Sequence, residues 1–359
     1  MKKKALLVSS NRWNSAITEY LISTAHALRT QGWQVQLLVP ESEAVVARCK
    51  REALPFLAWK SISISSYGAY RDLVTSWEPN WILAFGGPES WLLWRTPKKQ
   101  GLHLTRFMGY SFSAPVFTLF HRVFFSRFDS VLFPCELLRT ACTWVESARK
   151  HFVPLGLSSE KFFPAATKPT WQTAPTFVIF GRLDPIKGHA QFIEIFAKFL
   201  EQLPGTALPI PILQIVGKPA NTSVDELQEL TEKLGIATQV EFKTEQVEEV
   251  AKLLSGACMG VVCSLGSELI CRVAQEFLLC GTPIFVSDAG ALSEVLFPEA
   301  GSCYPLAEEG ETPDLLLQQY TMSLQETLEA RKQRASNAQD RFSFSTMGLR
   351  LELEHRGTR

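Results

Sequence analysis

The sequence predicts an α/β protein built of two Rossmann-like, doubly wound parallel-sheet domains, and three observations carry that expectation. Short runs of Val, Ile, Leu and Phe alternate with longer stretches whose apolar residues recur at helical spacing, the pattern of repeated βαβ units. The alternation continues through both halves of the chain. A length of 359 residues suits two domains, each large enough to bury its own core. Residues 165–175 are rich in Pro, Thr and Ala and suit a linker. The expected division is therefore 1–165, 166–338 and a C-terminal helical segment at 339–359.

In chain order, residues 5–9 read as the first strand. Asn14 is placed to cap a helix with an apolar face of Ile17, Leu21, Thr24, Ala25 and Leu28, which Gly32 ends. Further strands are expected at 34–39, 61–65, 81–85, 102–107, 130–133 and 151–155. The loop after the first strand is Ser9-Ser10-Asn11-Arg12-Trp13, with no G-x-G-x-x-G, so a nicotinamide- or flavin-binding Rossmann enzyme is disfavoured. Residues 91–128 are aromatic and basic together. Burial of their helix in the core is the favoured reading, because its apolar arc is too wide for a clean amphipathic face. The alternative is peripheral contact with an anionic membrane. No recognition motif for nucleic acid is present. The second half places strands near 176, 212, 240, 259 and 283, with helices between them and a long helical stretch at 315–335.

Composition narrows the class. An apolar content of 46% and a charged content of 20% describe a soluble globular chain. No uninterrupted apolar run reaches the ~18 residues of a membrane span. The opening MKKKALLVSS has too short an apolar run for a signal peptide and reads as a strand. Eight cysteines show no C-x-x-C pairing, and several sit in apolar segments. They are expected to be reduced, which points to the cytoplasm and gives no support for a metal. A formal net charge of zero is unevenly divided: residues 1–165 carry 20 Lys and Arg against 11 Asp and Glu, while 166–359 carry 16 against 25. A half at +9 facing one at −9 is a partner signal.

Two stretches carry chemistry. In Phe180 to His189, FGRLDPIKGH, an apolar strand ends at Gly181, and Arg182 and Lys187 flank the turn into a helix. A forked guanidinium, an ammonium and a helix N-terminus together make a pyrophosphate clamp. The second stretch is VVCSLGSELICRVAQEFLLCGTPIFVSDAGALSEV. Its apolar run breaks into the small-residue loop Ser264-Leu265-Gly266-Ser267, followed by Glu268 and, seven residues intervening, Glu276. Apolar spacing from 269 to 280 predicts a helix that would bring both carboxylates near one face. In α/β sheets ligands sit at the carboxyl ends of strands, against such loops.

Together these stretches resemble the donor site of retaining, nucleotide-sugar-dependent glycosyltransferases of the GT-B fold, glycosyl transferases group 1. FGRLDPIKGH is similar to that family's G-R-L-x-x-x-K-G turn, and the second stretch to its glutamate pair with trailing A-x-G-x-P and G-x-x-x-E. The resemblance is clear from about 176 to 296. It implies two domains facing across a cleft, with Arg182 and Lys187 on the donor diphosphate, Glu276 on the ribose and Glu268 by the donor sugar. Gly181, Gly266, Ser267 and Arg272 complete the implied donor-binding set. It implies a UDP-, GDP- or ADP-sugar as donor and a glycan or lipid-linked acceptor, in cell-envelope polysaccharide or lipopolysaccharide synthesis at the cytoplasmic face of the membrane. It implies no metal and no cofactor. A C-terminal helix is expected to cross back to the first domain.

Three departures from the family pattern stand out. Met108 occupies the strand end where many relatives carry a His, and a thioether neither donates a hydrogen bond nor carries charge. Ser158 stands where the passage P-x-G-V-D-x-x-x-F-x-P has Asp. The first-strand loop lacks the glycines common in relatives. Two other functions therefore stay open at this stage: a nucleotide-sugar-binding protein with little catalysis, and a GT-B-fold sugar-nucleotide epimerase.

Overall fold

In the computed structural model, which describes residues 3–110, 112, 118–165, 170–266, 268–307 and 310–357, the strands form two sheets, and every pairing in both is parallel. One compact unit comprises residues 1–156 with 341–359, the other residues 157–340. The chain thus leaves the first unit ahead of the 165–175 stretch that composition marks as a linker. Residues 166–169 of that stretch lie outside the described residues.

The first sheet contains β1 (Lys4–Val8), β2 (Gln34–Pro40), β3 (Phe56–Trp59), β4 (Trp81–Ala84), β5 (His103–Phe107), β6 (Ser130–Phe133) and β7 (Lys150–Phe152), in the order β3-β2-β1-β4-β5-β6-β7. The second contains β8 (Thr176–Phe180), β9 (Ile212–Val216), β10 (Val240–Lys243), β11 (Met259–Val262), β12 (Ile284–Ser287) and β13 (Gly301–Tyr304), in the order β10-β9-β8-β11-β12-β13. In each sheet the strand order reverses once, between β1 and β4 in the first and between β8 and β11 in the second. At such a switch point neighbouring crossovers leave in opposite directions and open a crevice at the strands' carboxyl ends. Helices on both faces explain why β4, β6, β11 and β12 are buried throughout and read as nearly continuous apolar runs.

Several expected elements differ. The segment 61–65 is not a strand: the edge strand is β3, and residues Ile64–Ser66 make a 3-10 turn. An edge strand needs only a weak apolar pattern, and WKSISIS offered a stronger one than FLAW. The first helix, Ala16–Thr30, starts after Ser15, and Asn14 is not its cap. The stretch 315–335 is two helices, Thr312–Gln325 and Leu328–Phe342, parted at Glu326. The last helix, Phe344–Gly357, belongs to the first unit and packs along Ala16–Thr30. There the Trp33 indole N–H donates to Glu352 Oε1 at 3.0 Å.

Glu326 breaks the helical stretch because it serves two buried guanidinium groups, Arg331 at 3.0 Å and Arg334. Arg331 also donates to the carbonyls of Ala257 and Cys258 at 2.7 and 2.8 Å and lies 3.5 Å over the Trp171 ring. Arg334 donates to the Gly281 carbonyl at 2.7 Å. Ala257, Cys258 and Gly281 precede β11 and β12, so this knot closes the amino end of the second sheet. The opposite, carboxyl end is left for the loops described next.

Candidate functional site

The loop after β8 is built by backbone pairing with its neighbour. Gly181 N–H donates to the Val216 carbonyl at 2.9 Å and Leu183 N–H to that of Lys218 at 2.9 Å. A Cβ on Gly217 would lie 1.8 Å from the Gly181 oxygen, so only glycine allows the ends of β8 and β9 to approach this closely. The Gly217-Lys218 pair therefore serves the turn through its backbone. Asp184 then caps the short turn Pro185–Lys187: its Oδ1 accepts from the Ile186 N–H at 3.2 Å and its Oδ2 from the Asn221 amide at 2.9 Å. Arg182 is exposed, its guanidinium 3.5 Å from Asp184 Oδ2. Gly188 follows in the left-handed region (φ 69°), and a Cβ there would sit 2.0 Å from the Cys263 carbonyl oxygen.

That close approach joins the two chemical stretches. Cys263 lies just beyond β11, the strand beside β8 across the switch point. Leu265 N–H donates to the Ile186 carbonyl at 2.8 Å, and Ser287 Oγ to the Ser264 carbonyl at 2.5 Å. A Cβ added at Gly266 would come within 3.4 Å of Ile186 Cδ1, so the loop passes close to that side chain. Residues 81 apart in sequence thereby meet: the Lys187 ammonium is paired with Glu268 Oε1, which also accepts from Ser264 Oγ at 2.7 Å. Lys187 keeps about a third of its side chain exposed, and Glu268 is mostly covered.

Glu268 and Glu276 do not share a helix face. The helix is Arg272–Leu279, shorter than its apolar spacing predicts, and Cys271 before it is left-handed (φ 53°). The Glu268 carbonyl instead accepts from Ala291 N–H at 2.7 Å, which ties it to the loop after β12 and keeps it out of the helix. Glu276 sits within the helix, buried, with Oε1 held by Arg272 Nε at 2.6 Å. Among the expected site residues, Lys187 and Glu268 are in contact, Gly181 and Arg182 occupy the same β8 loop, Gly266 abuts it, and Arg272 and Glu276 pair on the following helix. Ser267 lies outside the described residues.

Sequence reasoning gave no role to Ser264, Asp184 or Asn221. Asp before Pro at a helical turn was a legible capping signal, whereas nothing local marks Asn221. Cys263 is fully enclosed, and burial pushes its thiol up to about 12, so it is no nucleophile. The eight cysteines are free thiols, all buried but the half-buried Cys303. Among the described residues no group of three His, Cys, Asp or Glu side chains is arranged to hold a metal ion.

In the first unit the switch-point loop is held by side chains in place of glycines. Buried Glu89 accepts from the Ser10 N–H at 3.0 Å and the Ser10 hydroxyl at 2.7 Å. The Asn11 amide reaches Ser15 at 2.5 Å and Thr18 at 2.8 Å. Trp13 at its tip is exposed. Met108 follows β5, is buried, and donates its backbone N–H to the Leu132 carbonyl at 2.9 Å. The aromatic stretch is not uniformly core: in the helix Thr118–Phe125, Phe125 is buried, but Leu119, Phe120 and Val123 are exposed. Residues 111 and 113–117 of that stretch lie outside the described residues. Among the described residues no helix is long and apolar enough to cross a membrane.

Residues 165–339 match the family model described as glycosyl transferases group 1. A D-inositol 3-phosphate glycosyltransferase of Nocardia farcinica is 33% identical over 122 residues, 33% of this chain and 26% of that protein. The chain thus spans about a quarter of that curated relative's length. Solved structures resemble the whole fold at low identity. A glycosyltransferase of Rickettsia africae superposes with a TM-score of 0.80 at 13% identity, covering 99% of this chain and 98% of that one. HepE of Anabaena, in complex with UDP and glucose, does so with a TM-score of 0.71 at 17% identity, covering 98% of each.

Proposed function

We infer that this chain, which carries a glycosyl transferases group 1 module at residues 165–339 and has the GT-B fold, moves a sugar from a nucleotide-diphosphate sugar to a glycan or lipid-linked acceptor with retention of configuration. The observation that carries the reading is the meeting of Lys187 with Glu268 at the switch point of the second sheet, where α/β folds bind ligands. Arg182, exposed on the same loop, and Lys187 take the donor diphosphate. Lys187 exchanges its carboxylate partner for the phosphates, and the Ser264 hydroxyl keeps Glu268 oriented toward the sugar. Charge grows on the leaving diphosphate as the sugar–oxygen bond breaks, and two preorganised cations stabilise that charge more than they stabilise the bound donor. Glu276, released by an outward swing of the half-exposed Arg272, holds the ribose hydroxyls. The leaving phosphate takes the acceptor proton, so Met108 in place of a His is compatible with turnover. The cations perform the charge neutralisation, and turnover is expected to withstand EDTA. By analogy with HepE, which binds UDP and glucose, a uridine nucleotide is the first donor to try.

The test is a panel of UDP-, GDP- and ADP-sugars, scored first by thermal shift and then by transfer to lipid and glycan extracts. One base should raise the melting temperature, because a ligand that binds only the folded state stabilises it. No shift with any member overturns the reading. The buried Met108 favours a second reading, a nucleotide-sugar binder with little catalysis, which the panel would reveal as tight binding without transfer or hydrolysis. Conversion of free donor without acceptor would instead indicate an epimerase. Acceptor binding by the first unit, envelope polysaccharide or lipopolysaccharide synthesis, and a cytoplasmic place at the membrane's inner face belong to the same proposal. The +9 charge of residues 1–165 supports them.

A further inference from the structure

One buried cation of the first unit has no carboxylate partner among the described residues. Arg106 on β5 is buried, and its guanidinium donates to the Ala84 carbonyl at 3.2 Å and the Tyr110 hydroxyl at 3.1 Å. Both acceptors are neutral, and among the described residues Arg106 makes no ion pair. Glu89, the buried acid on the neighbouring helix Gly87–Arg95, spends both oxygens on Ser10. A guanidinium stays protonated in proteins, and burying it without a counter-charge is costly. Arg106 faces a cavity of about 380 Å³ beyond the carboxyl ends of β4 and β5, beside the first sheet's switch point. The walls are aromatic: Trp91, Tyr110, Phe120, Phe124 and Trp144. A second cavity of about 330 Å³ shares Phe125 and Trp144 with it and adds Arg122, together with Arg149 and the Glu146 carboxylate that pairs with it at 3.4 Å.

We propose that this cavity is an anion subsite, in which Arg106 takes the phosphate or carboxylate of a molecule whose apolar body or ring face lies on the aromatic walls. Arg offers a planar fork matched to either anion, and the rings supply contact area to an alkyl chain or to the apolar face of a sugar. The subsite deepens the acceptor assignment above and rests on that reading for its biological sense, since an acidic acceptor would be anchored here. Binding itself can be measured without turnover. Leu119 and Val123, exposed on the helix that carries Phe120 and Phe124, would extend the apolar surface for a lipid-borne anion.

Isothermal titration of the full chain with octyl phosphate, glucose 1-phosphate, 1-octanol and inorganic phosphate tests the proposal, with UDP present at saturation to occupy the phosphate clamp of the second unit. At least one of the first two probes should bind about tenfold or more tightly than both octanol and inorganic phosphate. Octyl phosphate ahead of glucose 1-phosphate identifies a lipid-borne anion, and the reverse order a sugar phosphate; either upholds the subsite. Arg106→Gln, which removes the charge and keeps a polar amide, should erase the advantage of the anionic probe, and Arg106→Lys should keep part of it. Octanol binding as tightly as octyl phosphate with glucose 1-phosphate no better, or Arg106→Gln binding the anionic probe unchanged, overturns the proposal. Should Arg106→Gln fail to fold, the ranking in the wild-type chain decides. Loss of UDP binding would strike the donor reading and leave this ranking intact.

Discussion

Replacing Lys187 by Ala separates the catalytic role proposed for its ammonium from its part in the fold. The structural part is small. Lys187 is about one-third exposed, and after its removal Glu268 still accepts from Ser264 at 2.7 Å, so no wholly unpaired charge is left buried. A half-exposed pair of this kind contributes about 1 kcal/mol, which lowers the melting temperature by roughly 2–4 °C in a chain of this size. The catalytic part is larger. Removing one preorganised donor from a developing oxyanion typically lowers turnover on the order of a hundredfold, about 2.7 kcal/mol of transition-state stabilisation. The assay pairs a thermal scan with transfer from the donor identified in the panel. Lys187→Arg, which keeps the charge on a larger, planar head group, should recover part of the rate. A folded Lys187→Ala variant working within about threefold of wild type would remove the phosphate clamp from the mechanism.

Gly188→Ala attacks the junction of the two loops. The left-handed conformation and the 2.0 Å approach to the Cys263 oxygen should together cost about 2 kcal/mol or more in urea unfolding, and turnover should fall on the order of a hundredfold because Lys187 and Glu268 are displaced. Glu326→Ala leaves Arg331 and Arg334 buried without their carboxylate and should lower unfolding free energy by about 3–5 kcal/mol, measured by denaturant titration, with Glu326→Gln recovering part of it. Stability should also decline in mild acid. Burial pushes His103 down to about 3, against the pull of Asp129, and pushes His189 down to about 4, against Asp184. Their folded pKa values lie below the unfolded value of 6.5, so the unfolded chain takes up protons first as pH falls. Their stabilising effect is complete above that value and diminishes below it. Each should cost about 1.4 kcal/mol between pH 7.5 and 5.5. Denaturation of His103→Gln at both pH values, with a visibly smaller drop than wild type, is the check.

Much of the candidate site's local geometry was legible because its signals are local. FGRLDPIKGH displays a strand, a tight turn and two cations within ten residues, and each of those signals needs only its immediate neighbours. The glutamate stretch is legible as a loop after a strand, yet its apolar spacing predicts a helix longer than Arg272–Leu279. Apolar periodicity records which residues face the core, and Leu269 and Ile270 satisfy it equally well from a bent loop. What removed them from the helix was a bond from Ala291 to Glu268 and a left-handed Cys271, neither of which leaves a periodic trace. Ser61–Ser65 failed as a strand for a related reason, since alternation alone cannot say which of two adjacent segments finds an edge to pair with.

Residue order and type alone determined the parallel α/β class, the alternation in both halves, the thiols' character as small hydrophobes and the two stretches that carry charge, because apolar spacing and turn chemistry act over a few residues. Only the tertiary structure decided which of those charges touch. Lys187 meets Glu268 because β8 and β11 are neighbours at the point where the sheet reverses its order, and among the described residues Arg106 has no carboxylate partner while Glu89 turns both oxygens to Ser10. Electrostatic partnership depends on distance through space, which strand order sets and the linear sequence does not display.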